Sequence, residues 1–385
     1  MRRRVLPVLS VLIVFAAMLA AQPPSRQGQL RPRPGQGREP EIPAPTITDY
    51  KPRSTLIVPE HKVPRAKFPV VDVHGHAPGM NSVEGVTRVV AAMDPLNLRV
   101  MVVPGGGTGN PGAALATIAQ AGHKDRFALW SGTSFRDVGP GWGARAAASL
   151  EADVKGGAVG LGEVGKNLGL RTRKADGTRL AVDDPELDAL WAACAKLKVP
   201  AFVHLGEPSE FFAPLDYQNE RWLEMALFRG RRYNDRSQNP SFEDFIAERD
   251  RMLMKHPNTT FILAHLGWQA NNLAKLGALM DKLPNLHAEV GAILYDLGRQ
   301  PRFAHDFFVK YQDRILFGKD SFQPDEYPYY WRVFETSDEY FDYYRDYHAF
   351  WKLYGMNLPD AVLKKLYYQN ALRIVPGLPR NAFPK

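Results

Sequence analysis

The stretch VDVHGH, residues 71–76, reads as a buried, β-branched strand that ends in two histidines separated by a glycine. Side chains alternate across a strand, so His74 and His76 project to one face and Gly75 leaves space between them. In a closed barrel that face is the lumen at the C-terminal mouth, where two imidazoles can ligate one divalent ion. Alone, such a pair also fits two hydrogen-bonded histidines.

The rest of the chain supplies the context. Short apolar, β-rich runs recur at 68–74, 98–104, 126–133, 157–163, 200–205, 259–265, 286–291 and 315–320. Amphipathic or Ala/Leu-rich stretches lie between them, among them 112–121, 142–154, 185–198, 242–255, 271–282 and 300–312, several opened by Asp, Asn, Ser or Pro. Eight strands alternating with helices predict an α/β fold, a (β/α)₈ TIM barrel. A doubly wound open sheet is the competing architecture.

Most strand starts lie 27–31 residues apart, but the fourth-to-fifth interval is 43 and the fifth-to-sixth is 59. The excess predicts long loops at 168–184 and 206–241 on the face where barrel enzymes build their sites. After the eighth strand comes an aromatic-rich extension (327–355) and an amphipathic helix near 359–373. The barrel domain is thus expected over 67–375, with a short tail over 376–385.

The N-terminus differs in kind. Arg2, Arg3 and Arg4 precede an apolar run from Val5 to Ala21, the layout of a signal peptide or of a retained N-terminal anchor. Residues 22–66 are rich in Pro, Gln and Gly and read as a linker. The body is therefore expected to be exported, periplasmic or secreted, touching a membrane only through an uncleaved leader. Residues 1–67 hold 12 Lys/Arg against 4 Asp/Glu, and the whole chain also carries +8, so residues 68–385 are neutral. The basic balance belongs to the leader and linker and gives no reason to expect nucleic-acid binding. The expected partner is a small-molecule substrate, and a homo-oligomer is compatible with the sequence.

Position strengthens the metal reading of His74 and His76. His204 ends the fifth strand, His265 the sixth and Asp320 the eighth, all at one level of the predicted barrel. DVHGH, VHLGEP, LAHLG, LFGKDS and LYYQNALRI, in this order, resemble the amidohydrolase superfamily, specifically the amidohydrolase-related group that includes metal-dependent decarboxylases. The resemblance spans nearly all of 68–375. It implies His74, His76, His204 and Asp320 around a divalent metal, with His265 as a second-metal ligand or a catalytic hydrogen-bonding group. At the fourth strand, GLGEVGKNLG offers Glu163 as a bridging ligand. Lys166 is the alternative, as a carbamate or a contact for a substrate carboxylate; if both are structural, a single-metal site remains.

Such a site activates a metal-bound water, with Asp320 as general base, and polarises a carbonyl with help from His265. That is hydrolysis of an amide, ester or lactone; nonoxidative decarboxylation is the alternative. Zinc is the default ion, manganese, cobalt or iron are compatible, and one or two ions per chain are expected. Substrate contacts expected from position are Lys166, Glu207, Asn219, Arg221, Trp222, Trp268, Lys319 and Phe322.

Rival motifs fail on their chemistry. GLGEVGKN (160–167) ends in Asn167 where a P-loop needs Ser or Thr, and Glu163 would repel phosphate. GTGNPG (107–112) follows the second strand but lacks an acidic residue ending the next, and reads as a Gly-rich turn or an anion-binding helix start. No G-x-S-x-G elbow occurs, and Cys194, the only cysteine, sits in a helical core pattern. A non-catalytic ligand-binding barrel would be expected to have lost a metal position, and none is lost here.

Overall fold

The computed structural model describes residues 45–104 and 111–384. The leader, the linker up to residue 44 and most of the 107–112 turn lie outside the described residues. The chain divides into Met1–Ile57 and Val58–Lys385. In the first, residues 45–57 are exposed and extended beyond a turn at Thr46–Asp49. Among the described residues no helix is long and apolar enough to cross a membrane.

In the second unit eight parallel strands are β1 (Val70–Asp72), β2 (Leu98–Pro104), β3 (Phe127–Trp130), β4 (Leu161–Val164), β5 (Ala201–Val203), β6 (Phe261–Leu263), β7 (Leu286–Glu289) and β8 (Ile315–Leu316). β1 pairs with β2 and β2 with β3, and an unbroken parallel run joins β4 through β8. A single bridge, Ser131 to Leu161, links β3 to β4. The ring closes through Gly75–His76, paired in parallel with Asp320–Ser321. There the Val73 N–H donates to Phe317 O at 3.0 Å and the Asp320 N–H to His74 O at 2.7 Å. A doubly wound sheet would keep two open edges, so closure excludes it. The strands are buried on both faces, which explains their continuous Val/Ile/Leu runs.

Helices Val83–Met93, Pro111–Gln120, Trp142–Lys155, Asp188–Leu197, Phe242–Lys255, Leu273–Lys282 and Pro301–Lys310 fall between successive strands. Ser82, Ser241 and Asn272 cap three of them through side-chain oxygens that accept from the backbone. The expected strand over 157–163 begins later, at Leu161, because Gly156 and Gly157 first turn the chain off a helix. After β8, helix Tyr327–Glu335 buries Tyr327, Tyr330 and Trp331. Trp331 and Tyr367, from the closing helical segment Asp360–Ile374, pack on Phe317, with ring centroids 4.9 and 5.9 Å away. This part of the aromatic extension is core packing.

Candidate metal centre

The strand ends converge on one cluster. The His74 imidazole is fully buried; its Nδ1–H donates to Glu289 Oε2 at 3.1 Å, which turns Nε2 toward the mouth. That Nε2 lies 3.2 Å from Glu163 Oε2 and 3.9 Å from Asp320 Oδ1, yet has no hydrogen-bond partner. His76, at the exposed rim, places Nε2 2.9 Å from Glu163 Oε2 and 3.7 Å from Asp320 Oδ1. The other Glu163 oxygen is bonded to His204 Nδ1, and His204 Nδ1 is 3.2 Å from His265 Nε2. Ligand atoms fall within 4.8 Å of one another in two groups, His74 with His76 and Asp320, and His74 with Glu163 and His265.

Local backbone geometry aims these side chains. After β6 the chain takes left-handed conformations at His265, Leu266 and Gly267 (φ 57°, 50° and 59°), which ends the strand two residues earlier than expected and turns His265 inward. Asp320 is also left-handed (φ 77°). The His265 Nδ1–H donates to Gly291 O at 2.8 Å, so neutral His265 presents a bare Nε2 to the cluster. It fits a ligand or proton acceptor, and in this form it cannot donate to an oxyanion.

The electrostatics agree with that division. Burial, reinforced by the charges of His204 and His74, pushes His265 down to about 3. Burial also opposes ionisation of Glu163, but the charges of His74 and His204 outweigh it and hold the carboxyl well below the usual range. The same opposition, burial against His74, leaves Asp320 lowered.

Two carboxylates absent from the expected site stand behind it. Glu289, fully buried at the end of β7, accepts from His74 Nδ1, from the His265 N–H at 3.1 Å and from the Gly291 N–H. Asp72 accepts from the His74 N–H at 2.9 Å, the Lys319 N–H at 3.2 Å and the Tyr327 hydroxyl at 2.7 Å. The available signal was an acid inside an otherwise apolar strand, since a buried carboxylate needs partners.

Expected substrate contacts divide. Trp268 packs on His265 and His204 with ring centroids 4.3 and 5.7 Å apart, and buried Glu207 places Oε1 3.8 Å from His204 Nε2. Lys166 is exposed and lines a basic cavity beside the cluster. Asn219 and Arg221 are occupied within the protein: Asn219 Nδ2 donates to Glu210 O and Pro214 O, and Arg221 bonds the Tyr295 hydroxyl and stacks on its ring at 4.1 Å. Trp222 packs beside Tyr217, Lys319 bonds Glu326 and Ser321 O, and buried Phe322 packs on Tyr327.

Residues 71–377 match the sequence profile of a family described as Amidohydrolase. No curated protein matches the chain. Similar solved structures include an uncharacterized TIM-barrel protein from Bordetella bronchiseptica (TM-score 0.48, 16% identity, 80% of this chain and 98% of that one). Others are 2,6-dihydroxybenzoate decarboxylase from Rhizobium (0.45, 16%, 80% and 98%) and 5-carboxyvanillate decarboxylase from Sphingomonas paucimobilis (0.44, 14%, 80% and 99%).

Proposed function

The chain belongs to the amidohydrolase family of metal-dependent enzymes, and from that premise we propose that it is a hydrolase cleaving an amide, ester or lactone bond in a small polar organic substrate. One observation carries the metal reading: the fully buried, unpartnered Nε2 of His74, surrounded by the ligand atoms of His76, Glu163, His265 and Asp320. A buried imidazole nitrogen left without a partner is costly unless something absent from the protein atoms satisfies it, and an N/O donor set of this kind suits zinc, manganese, cobalt or iron. Zinc is our default.

When bound, such an ion supplies a Lewis acid that makes water a nucleophile near neutral pH and polarises a carbonyl. The protein's own residues do the rest. Asp320, held ionised, accepts the proton of the attacking water. His74, His76 and His204 orient the donor set, His265 turns its bare Nε2 inward, and Trp268 walls the cluster on the His204 side. Glu163, shared between His76 and His204, supports a two-ion centre and therefore hydrolysis.

The group of His74, His76 and Asp320 is complete without Glu163, which favours, as the second reading, a single ion and a decarboxylation in which Asp320 takes a proton from water and passes it to the carbon that releases carbon dioxide. The basic and then apolar leader supports an exported chain, periplasmic, secreted or tethered by its N-terminus.

Metal per chain, measured on protein purified without chelators and on Glu163→Ala, tests the proposal. About two ions, falling to one or fewer in the variant, is the expected result and directs screening to esters, lactones and amides. About one ion, unchanged in the variant, supports the decarboxylase. No ion, even after incubation with zinc or manganese, overturns both.

A further inference from the structure

Close to Glu163 in the chain, the loops after β3 and β4 border a cavity of about 530 Å³ that is open to solvent, within the size range of small-molecule sites. Arg136, Lys166, Arg171 and Arg173 line it together with Ser134 and Asn167, and among the described residues no carboxylate does. This is not a general excess of base, since residues 68–385 are neutral. Neighbouring Lys174 pairs with Asp184 at 3.0 Å and Arg179 pairs with Glu248, whereas the four lining cations have no acidic partner among the described residues.

Two of the four are held in place by neutral groups. Arg171 donates to Gly230 O and lies over the Tyr233 ring at 4.7 Å, and Arg173 donates to Leu170 O at 3.0 Å and Thr172 O at 3.2 Å. Each guanidinium keeps further N–H donors. Like charges lining one cavity repel, and an anion placed among them relieves that repulsion.

The cavity adjoins the cluster. Gly165, two residues beyond Glu163, is part of its wall and turns the chain with φ 95°.

We propose that this cavity binds an oxyacid anion, a carboxylate or phosphate group carried by the substrate away from the bond that reacts. This deepens the hydrolase reading and rests on it for the identification of the ligand as a substrate. The enzyme then acts on anionic compounds and selects them with Lys166 and the three arginines. The anion is a handle, distinct from the carbonyl at the metal cluster.

Titration calorimetry on the full-length, metal-loaded chain tests this with glutarate, its uncharged analogue glutaramide and inorganic phosphate, metal content being measured on the same samples. Glutarate or phosphate, or both, should bind at least tenfold more tightly than glutaramide; the preferred anion assigns the handle as carboxylate or phosphate. Arg136→Met combined with Lys166→Met should weaken that binding at least tenfold with metal content unchanged, and Arg136→Lys with Lys166→Arg should restore most of it. Equal binding of glutarate and glutaramide, absence of anion binding, or a Met double variant that binds like the wild type overturns the proposal. A chain without metal that still binds anions through these residues would instead remove the hydrolase reading and leave the anion site standing.

Discussion

Glu289 touches the centre only through its histidines. Its Oε2 fixes which nitrogen of His74 faces the mouth and holds the N–H of His265 at the start of a left-handed turn, so one buried carboxylate sets the aim of two candidate ligands. Such outer partners typically affect metal affinity or activity by about 10–100-fold. Glu289→Gln keeps the shape but turns an amide N–H₂ toward groups that are themselves donors. Metal affinity, read by competition with a chromogenic chelator, should fall by about that factor while the far-ultraviolet dichroism stays native; an unchanged affinity would remove the positioning role. Tyr327 acts in the same way on Asp72. Its hydroxyl is one of three donors to a carboxylate whose pKa burial already raises, so Tyr327→Phe leaves an oxygen unsatisfied at a cost of about 1–3 kcal/mol, measurable by urea unfolding.

At the scale of elements, what was legible in the sequence was what alternation and spacing control. The two-residue period of β1 set His74 and His76 on one face, and the uneven strand spacing marked the long fourth and fifth loops. Contacts made by chain reversal were not legible. The left-handed turn at His265 depends on Glu289 some 24 residues later, and Arg221, expected to meet a substrate, is buried over Tyr295 because loop five folds back on the helix after β7. The sequence favoured Glu163 over Lys166 from the expected end of the fourth strand; in the structure Glu163 lies within β4 and bonds His204, while Lys166 lies beyond the strand at the surface. The glycines record the same dependence: a Cβ on Gly318, just past β8, would lie 2.4 Å from Glu289 Oε1, and one on Gly291 2.5 Å from it. Glu289 is fully buried and has three donors to satisfy, so it cannot swing aside. Gly318→Ala should therefore cost about 1–3 kcal/mol in thermal unfolding and also lower metal occupancy. A variant with wild-type melting and wild-type metal content would show that the carboxylate has room to move.

At the scale of the whole molecule, a titratable group buried in the barrel wall makes stability depend on pH. His287, on β7, is buried with Nδ1 lacking a partner. Burial, helped by the charges of Arg373 from the closing helix and Arg314 before β8, pushes it down to about 4. An unfolded chain binds a proton at this imidazole below about 6.5, while the folded chain refuses it until about 4. Between those values the unfolded state holds more protons, so stability rises with pH across the window. The contribution is complete above about 6.5, is lost as the pH falls toward 4, and amounts to about 3 kcal/mol at full size. Loss of metal from the protonating cluster destabilises the protein over the same range, but it does so equally with or without His287. The difference between the wild type and His287→Leu therefore isolates the buried imidazole. Urea unfolding at pH 6.5, 5.5 and 4.5 should show the wild type losing stability more steeply than the variant, by about 2 kcal/mol between the first and the last; parallel pH profiles would mean that the wall opens enough to solvate this histidine in the folded state.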